Sequence, residues 1–119
     1  GELVTGNQEF DTTFYKALAV NDQVYNLVEP KVHKQFIITG FVAVSDKNIA
    51  ADTIVEMYEG TDTTDAVVSK ALITFALTKN QNVSPTPLRI QVSEGLYLNA
   101  RCDDATVHLT MFGFFTNAL

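Results

Sequence analysis

Apolar residues along the chain recur mostly at every second position, in short runs rich in β-branched and aromatic side chains. Alternation of that kind gives a strand one apolar face, whereas a helix needs spacings of three and four. About eight such runs stand out: 12–19, 23–28, 35–45, 53–58, 70–78, 88–92, 96–100 and 105–115. Clusters of Asn, Asp, Gly and Pro separate them. Asn21-Asp22 predicts a tight hairpin between the first two runs, because short polar side chains tolerate left-handed turn conformations. Glu29-Pro30-Lys31 breaks the pattern before the third run, since proline has no amide hydrogen to give to a ladder. One helical alternative competes over residues 64–72, where Asp65 could cap and Val67, Val68, Ala71 and Leu72 have roughly helical spacing. The strand reading is preferred there.

Short connections of this kind join antiparallel neighbours or cross between two sheets, and nothing resembles a βαβ unit. The predicted fold is therefore all-β, an antiparallel two-sheet sandwich of about eight strands, jelly-roll-like. An immunoglobulin-like sandwich is the second choice, weakened by the absence of Trp and the single cysteine. Residues 12–119 read as one β-sandwich domain. Residues 1–11 are polar, with Leu3, Val4 and Phe10 as apolar points, and read as a flexible arm that contacts a partner.

Two runs depart from one-sided alternation. In 36–44 one set holds Phe36, Ile38, Val42 and Val44 while the other holds Ile37, Phe41 and Ala43. The last run places Val107, Leu109, Met111 and Phe115 on one side and Phe112 and Phe114 on the other. An antiparallel strand that is apolar on both sides needs a cover for its outer face, either its own chain or another subunit. The expected homo-oligomer interface is built from Ile37, Phe41, Phe112 and Phe114. The plainer alternative is a central strand beneath an overhanging loop.

Composition narrows the function. The 119 residues carry fourteen Asp and Glu against eight scattered Lys and Arg, a formal net charge of −6. Nucleic-acid binding needs clustered cations, so it is not expected. No apolar run approaches the roughly 20 residues of a membrane span, and no signal peptide is visible. No catalytic residue is expected either: there is no Gly-x-Ser-x-Gly elbow, and His33 and His108 stand without a surrounding motif. His33 reads as a solvated turn residue and His108 as a sheet-surface or subunit-contact histidine. Two histidines far apart cannot supply a cupin-like metal site, and no cofactor-binding or metal-ligating set is expected. Acidic turns at Asp62-Thr63-Thr64-Asp65 and Asp103-Asp104 lack the spacing of a calcium loop and read as solvated carboxylates. Those last two charges would also disfavour a reactive Cys102 thiolate.

The succession Val28-Glu29-Pro30-Lys31 into Phe36-Ile37-Ile38-Thr39-Gly40-Phe41-Val42-Ala43-Val44, then Val55-Glu56-Met57-Tyr58-Glu59-Gly60, carries a resemblance. So do Pro87-Leu88-Arg89-Ile90, Glu94-Gly95-Leu96-Tyr97-Leu98 and the closing Val107-His108-Leu109-Thr110-Met111-Phe112-Gly113-Phe114. Over residues 23–115 the chain resembles small β-sandwich structural proteins of tailed bacteriophage virions. The resemblance implies a capsid decoration or cement protein, usually trimeric, that partners the major capsid protein and is assembled in the host cytoplasm. It leaves as alternatives a tail or fibre component contacting other tail proteins, and a carbohydrate-binding module for host attachment.

Overall fold

In a computed structural model describing residues 11–46, 52–67, 70–104 and 106–118, every predicted run contains a strand. In chain order these are β1 (Thr12–Leu18), β2 (Tyr25–Val28), β3 (Lys34–Ser45), β4 (Thr53–Gly60) and β5 (Ala71–Leu77), followed by β6 (Asn82–Val83), β7 (Ile90–Val92), β8 (Tyr97–Cys102) and β9 (Val107–Asn117). Among the described residues there is no α-helix. Ala71 and Leu72 lie in β5, because pairing of Tyr58 with Ala71 and Met57 with Ile73 outweighs the helical spacing.

The pairing has the logic of one long antiparallel hairpin. β4 pairs with β5 at its tip, β3 with β6 and β7, β2 with β8, and β1 with β9 at its base. Rolling that hairpin places alternate pairs in alternate sheets. The front sheet runs β1-β9-β3, with β6 and β7 both beyond β3, and the back sheet runs β2-β8-β4-β5. This is the double Greek key of a jelly roll.

The rolling overturns the predicted first hairpin. β1 belongs to the front sheet and β2 to the back, so the link between them crosses the sandwich. The turn residue was legible, since Asp22 does adopt a left-handed φ of 58°. Its amide donates to the Cys102 carbonyl at 2.8 Å, which ties the link to the end of β8 rather than closing a β1–β2 ladder.

The ninth strand arises from a break. β6 pairs with Ala43 and Val44, and β7 with Phe36–Ile38, so together they fill one strand's place along β3. Between them, Pro85 and Pro87 have no N–H to give to the ladder. Opposite the break β3 has its own irregularity, a β-bulge between Ile38 and Gly40. The Thr39 carbonyl there accepts the Leu88 amide at 2.8 Å, so the two irregularities satisfy each other.

The bulge also sets the core. An extra residue in a strand shifts the phase of everything beyond it. Before Thr39, Phe36 and Ile38 point between the sheets; after it, Phe41 and Ala43 do. Phe41 stacks on Phe75 of the opposite sheet with ring centroids 5.1 Å apart. Around them, Val55, Met57, Leu98, Leu109 and Met111 are fully buried, each worth roughly 1.5–3 kcal/mol of burial. Ser45 ends the inward row, and its hydroxyl donates to the Thr78 carbonyl at 2.7 Å.

Candidate interaction surface

Each sheet has an outer face, and the two differ. On the back sheet a transverse row runs Asn26, Asn99, Tyr58 across β2, β8 and β4. Asn99 and Tyr58 are fully buried although they point away from the core: the loop after β4 folds over Asn99, and the Arg101 guanidinium lies over the Tyr58 ring. Asn99 Nδ2 donates to the Asp62 and Asp65 carbonyls at 2.8 and 3.0 Å, and its Oδ1 accepts from Asn26 Nδ2 at 3.1 Å. The loop holds its own shape: the Asp65 carboxylate accepts the Thr61 amide at 2.9 Å, and that of Asp62 accepts the amide and hydroxyl of Thr64. Those hydrogen bonds hold both carboxyls below their ordinary range. The acidic turn is thus folded around its own donors.

In the neighbouring row Glu56 sits directly opposite Arg101. Its Oε1 accepts Arg101 Nε at 3.2 Å and also the Tyr58 hydroxyl. Burial, and then the hydrogen bond to Glu56, push the Tyr58 phenol up to about 12, so it stays neutral and unreactive. Every charged group in this network is partnered, and none is aimed at an open hollow.

Asn99→Leu tests that closure. The substitution keeps volume but leaves two loop carbonyls without their donor, at about 1–3 kcal/mol for a group left unsatisfied, while the Asn26 amide keeps the Val28 and Leu98 carbonyls. The expected loss is about 2–3 kcal/mol in urea unfolding, with faster amide exchange in 61–65. An unchanged midpoint would show that the loop does not depend on Asn99.

The front sheet's outer face is built from alternate residues of β1, β9 and β3. Its rows are Ala17–His108–Val44, Tyr15–Thr110–Val42, Thr13–Phe112–Gly40 and, at the far end, Phe114–Ile37–Gln91. Tyr15 is 59% exposed and Val44 40%; Val42, in Tyr15's row, and Phe112, in the row beyond it, are half-buried. The Tyr15 hydroxyl lies 2.7 Å from His108 Nδ1, with the two rings stacked. The result is a band across three strands in which Tyr15, Val42, Val44 and Phe112 are interspersed with Thr13, His108 and Thr110.

Of the four residues read as an interface, three share this face. Phe112 lies within the band. Ile37 and Phe114 are cross-strand neighbours beyond it, only 3% and 8% exposed. Ile37 lines a hollow of about 350 Å³ with Gln35, Arg89, Gln91, Thr116 and Asn117. Phe41 points the opposite way, into the core, because the bulge at Thr39 reverses its side. His108 lies on the sheet surface as expected, while Tyr15, Val42 and Val44 were missed as members. Their signal was the odd-position set of β1 and the valines of the long run, which strict alternation had assigned to the core. Leu3, Val4 and Phe10 lie outside the described residues.

The remaining candidates fall apart in space. His33 is highly exposed, in a left-handed turn near Glu94 at the end of the sandwich where β9 finishes, whereas His108 stands near the start of β9. Cys102 is buried, and desolvation followed by the charges of Asp103 and Asp104 carries its thiol up to about 11, leaving it inert. Among the described residues no group of three or more His, Cys, Asp and Glu side chains is placed to hold a metal ion. Of the tyrosines only Tyr15 is well exposed, so no pair of rings forms a sugar platform among these residues.

The fold defines the class: an antiparallel jelly-roll sandwich whose back face is capped in part by its own loop and whose front face carries no such loop among the described residues. Its trace is similar to a chain of the cyanophage Pam1 capsid asymmetric unit, at 14% identity over 96% of this chain and 90% of that one, with a TM-score of 0.49. It is also similar to two structures of a pentameric capsid protein isolated from metagenomic phage sequences, at 17% and 18% identity and TM-scores of 0.33. This chain spans 65% and 63% of those two. No family model matches the sequence, and no curated protein matches it. With TM-scores below 0.5, the capsid chains do not fix what this one does.

Proposed function

We propose that the chain is a non-enzymatic structural component of a bacteriophage virion, a capsid decoration or cement protein that acts as a homo-oligomer on the head. The observation that carries this reading is the contrast between the sandwich faces. On the back face the loop after β4 caps Asn99 and the polar groups around it are mutually satisfied, while Ile54 at the β4–β5 edge stays 46% exposed. The front face leaves Tyr15, Val44, Phe112 and Val42 in a band with no such cover among the described residues. Exposed aromatic and aliphatic side chains gathered on one sheet face favour association over catalysis. The sequence pattern over residues 23–115 supports a virion as the setting. In such a setting the band joins copies of the chain, with a trimer as the favoured count. The formal charge of −6 complements basic patches on a shell of major capsid protein.

Light scattering coupled to size-exclusion tests the oligomer. The expected species has about three times the chain mass of 13.1 kDa, over a range of concentrations. Val44→Asp and Phe112→Asp should each return it to a single-chain mass while preserving the β-sheet circular dichroism signal. A parent chain that stays monomeric at every concentration would remove the homo-oligomer from this reading.

A further inference from the structure

The far end of the front sheet's outer face differs in chemistry from the band. Gln35 stands opposite Thr116, and Ile37 lies between Phe114 and Gln91, so two adjacent rows meet there. Arg89, two positions before Gln91, and Asn117 at the end of β9 complete the rim of the hollow of about 350 Å³. Ile37 is its apolar floor and the other five lining residues are polar. None of those five side chains forms a hydrogen bond or ion pair among the described residues, although Gln35 and Thr116 are half-buried. The contrast with the back sheet is sharp: Arg101 and Lys70 each pair with a carboxylate, and Asn26 and Asn99 bond to one another.

We infer that this hollow binds a carboxylated sugar unit of a glycan, a uronate or a sialate. Each primary amide of Gln35, Gln91 and Asn117 sets donors beside an acceptor, and the Thr116 hydroxyl is both at once. That combination matches sugar hydroxyls, which also donate and accept. The Arg89 guanidinium is permanently charged and presents a planar fork that takes a carboxylate in two parallel hydrogen bonds. In a chain of formal charge −6 general attraction does not hold an anion, so an unpaired cation is needed to do it. Ile37 offers an aliphatic surface to the C–H face of a pyranose ring. Pockets for apolar ligands are lined mainly by hydrophobic side chains with a few polar groups. Here the proportion is reversed, which selects a ligand whose surface is mostly hydroxyl. The lining contains no aromatic ring, so hydrogen-bonding edges and one charge carry the recognition in place of stacking.

The test screens the full chain on an array of neutral, uronate-bearing, sialylated and sulfated glycans, then titrates the best carboxylated oligosaccharide in solution by proton–nitrogen correlation spectra. Carboxylated glycans should bind in preference to neutral and sulfated ones, with shifts centred on the amides of Gln35, Ile37, Gln91 and Thr116. Arg89→Gln should weaken the titration about tenfold or more, the loss of a charge-assisted pair, and Gln91→Ala should weaken it several-fold. Both side chains are exposed, so unchanged urea midpoints keep the fold out of the comparison. Val44→Asp, in the band, should bind as the parent does, which separates this site from the oligomer. The inference is overturned if no carboxylated glycan binds, if neutral or sulfated glycans bind equally well, or if Arg89→Gln leaves binding intact. A hexaglutamate peptide that binds the hollow as tightly would also overturn it, since the amides would then read no hydroxyls.

Discussion

Phe41→Asp is expected to leave no folded protein, while Val44→Asp, three residues further along the same strand, leaves the fold intact. Phe41 is 3% exposed and stacked on Phe75 between the sheets, so truncating it to alanine would alone cost about 3–5 kcal/mol. A carboxyl group adds the penalty of a polar group with no hydrogen-bonding partner in an apolar site. The sum reaches the whole stability of an ordinary domain, about 5–15 kcal/mol. Val44 faces out, opposite His108, and a carboxylate there stays hydrated. Circular dichroism and one-dimensional proton spectra of the two variants separate the cases. A folded Phe41→Asp chain with impaired assembly would put that ring at an interface and contradict the inward phase after the bulge.

Gly113→Ala is expected to be strongly destabilising although it adds only one methyl group. Gly113 lies in β9 between Thr12 and Ile38, on the inward side. A Cβ there would stand 2.3 Å from the Ile37 carbonyl oxygen and 2.4 Å from Cζ of the Phe36 ring. The ring could shift only by disturbing its contacts with Phe14 and Phe115, and the carbonyl belongs to the ladder itself. The β3–β9 pair must therefore part locally, and overpacking of this sort costs typically 1–3 kcal/mol and occasionally more. We expect about 3 kcal/mol, read as a lowered urea midpoint. Gly95→Ala is the matched control: its φ of +80° strains any side chain, but nothing lies within 4 Å of the added carbon. Its cost should stay at about 1–2 kcal/mol, the left-handed penalty alone. Equal effects at the two glycines would show that the close approach at Gly113 relaxes freely.

Much of this architecture was legible before any coordinates. Alternation in 71–77 and 107–111 identified strands because both keep one regular phase, and each turn cluster fell where a strand ends. The candidate surface was half legible. Phe112 was recognised because β9 runs without a bulge, so its even positions stay on one face for the whole strand. Phe41 was misplaced because nothing in Ile38-Thr39-Gly40 announces an extra residue. That bulge exists because the broken strand opposite leaves the Leu88 amide available to Thr39. Asn99 carried no signal at all, since its partners Asp62 and Asp65 are more than thirty residues away.

Local chemistry therefore determined the class of fold, the approximate limits of eight of the nine strands, and the absence of any recognisable catalytic motif. These depend on side-chain period and turn preference, which act over a few residues. Only the tertiary structure decided which strands share a sheet, which face of each is dry, and which outer face the chain covers for itself. Those outcomes rest on pairings between distant segments, where one inserted residue reverses a face and one loop carbonyl fills a buried amide. The same physics separates Phe41 from Phe112, two phenylalanines of the same apparent role in the sequence, into a core residue and a surface one.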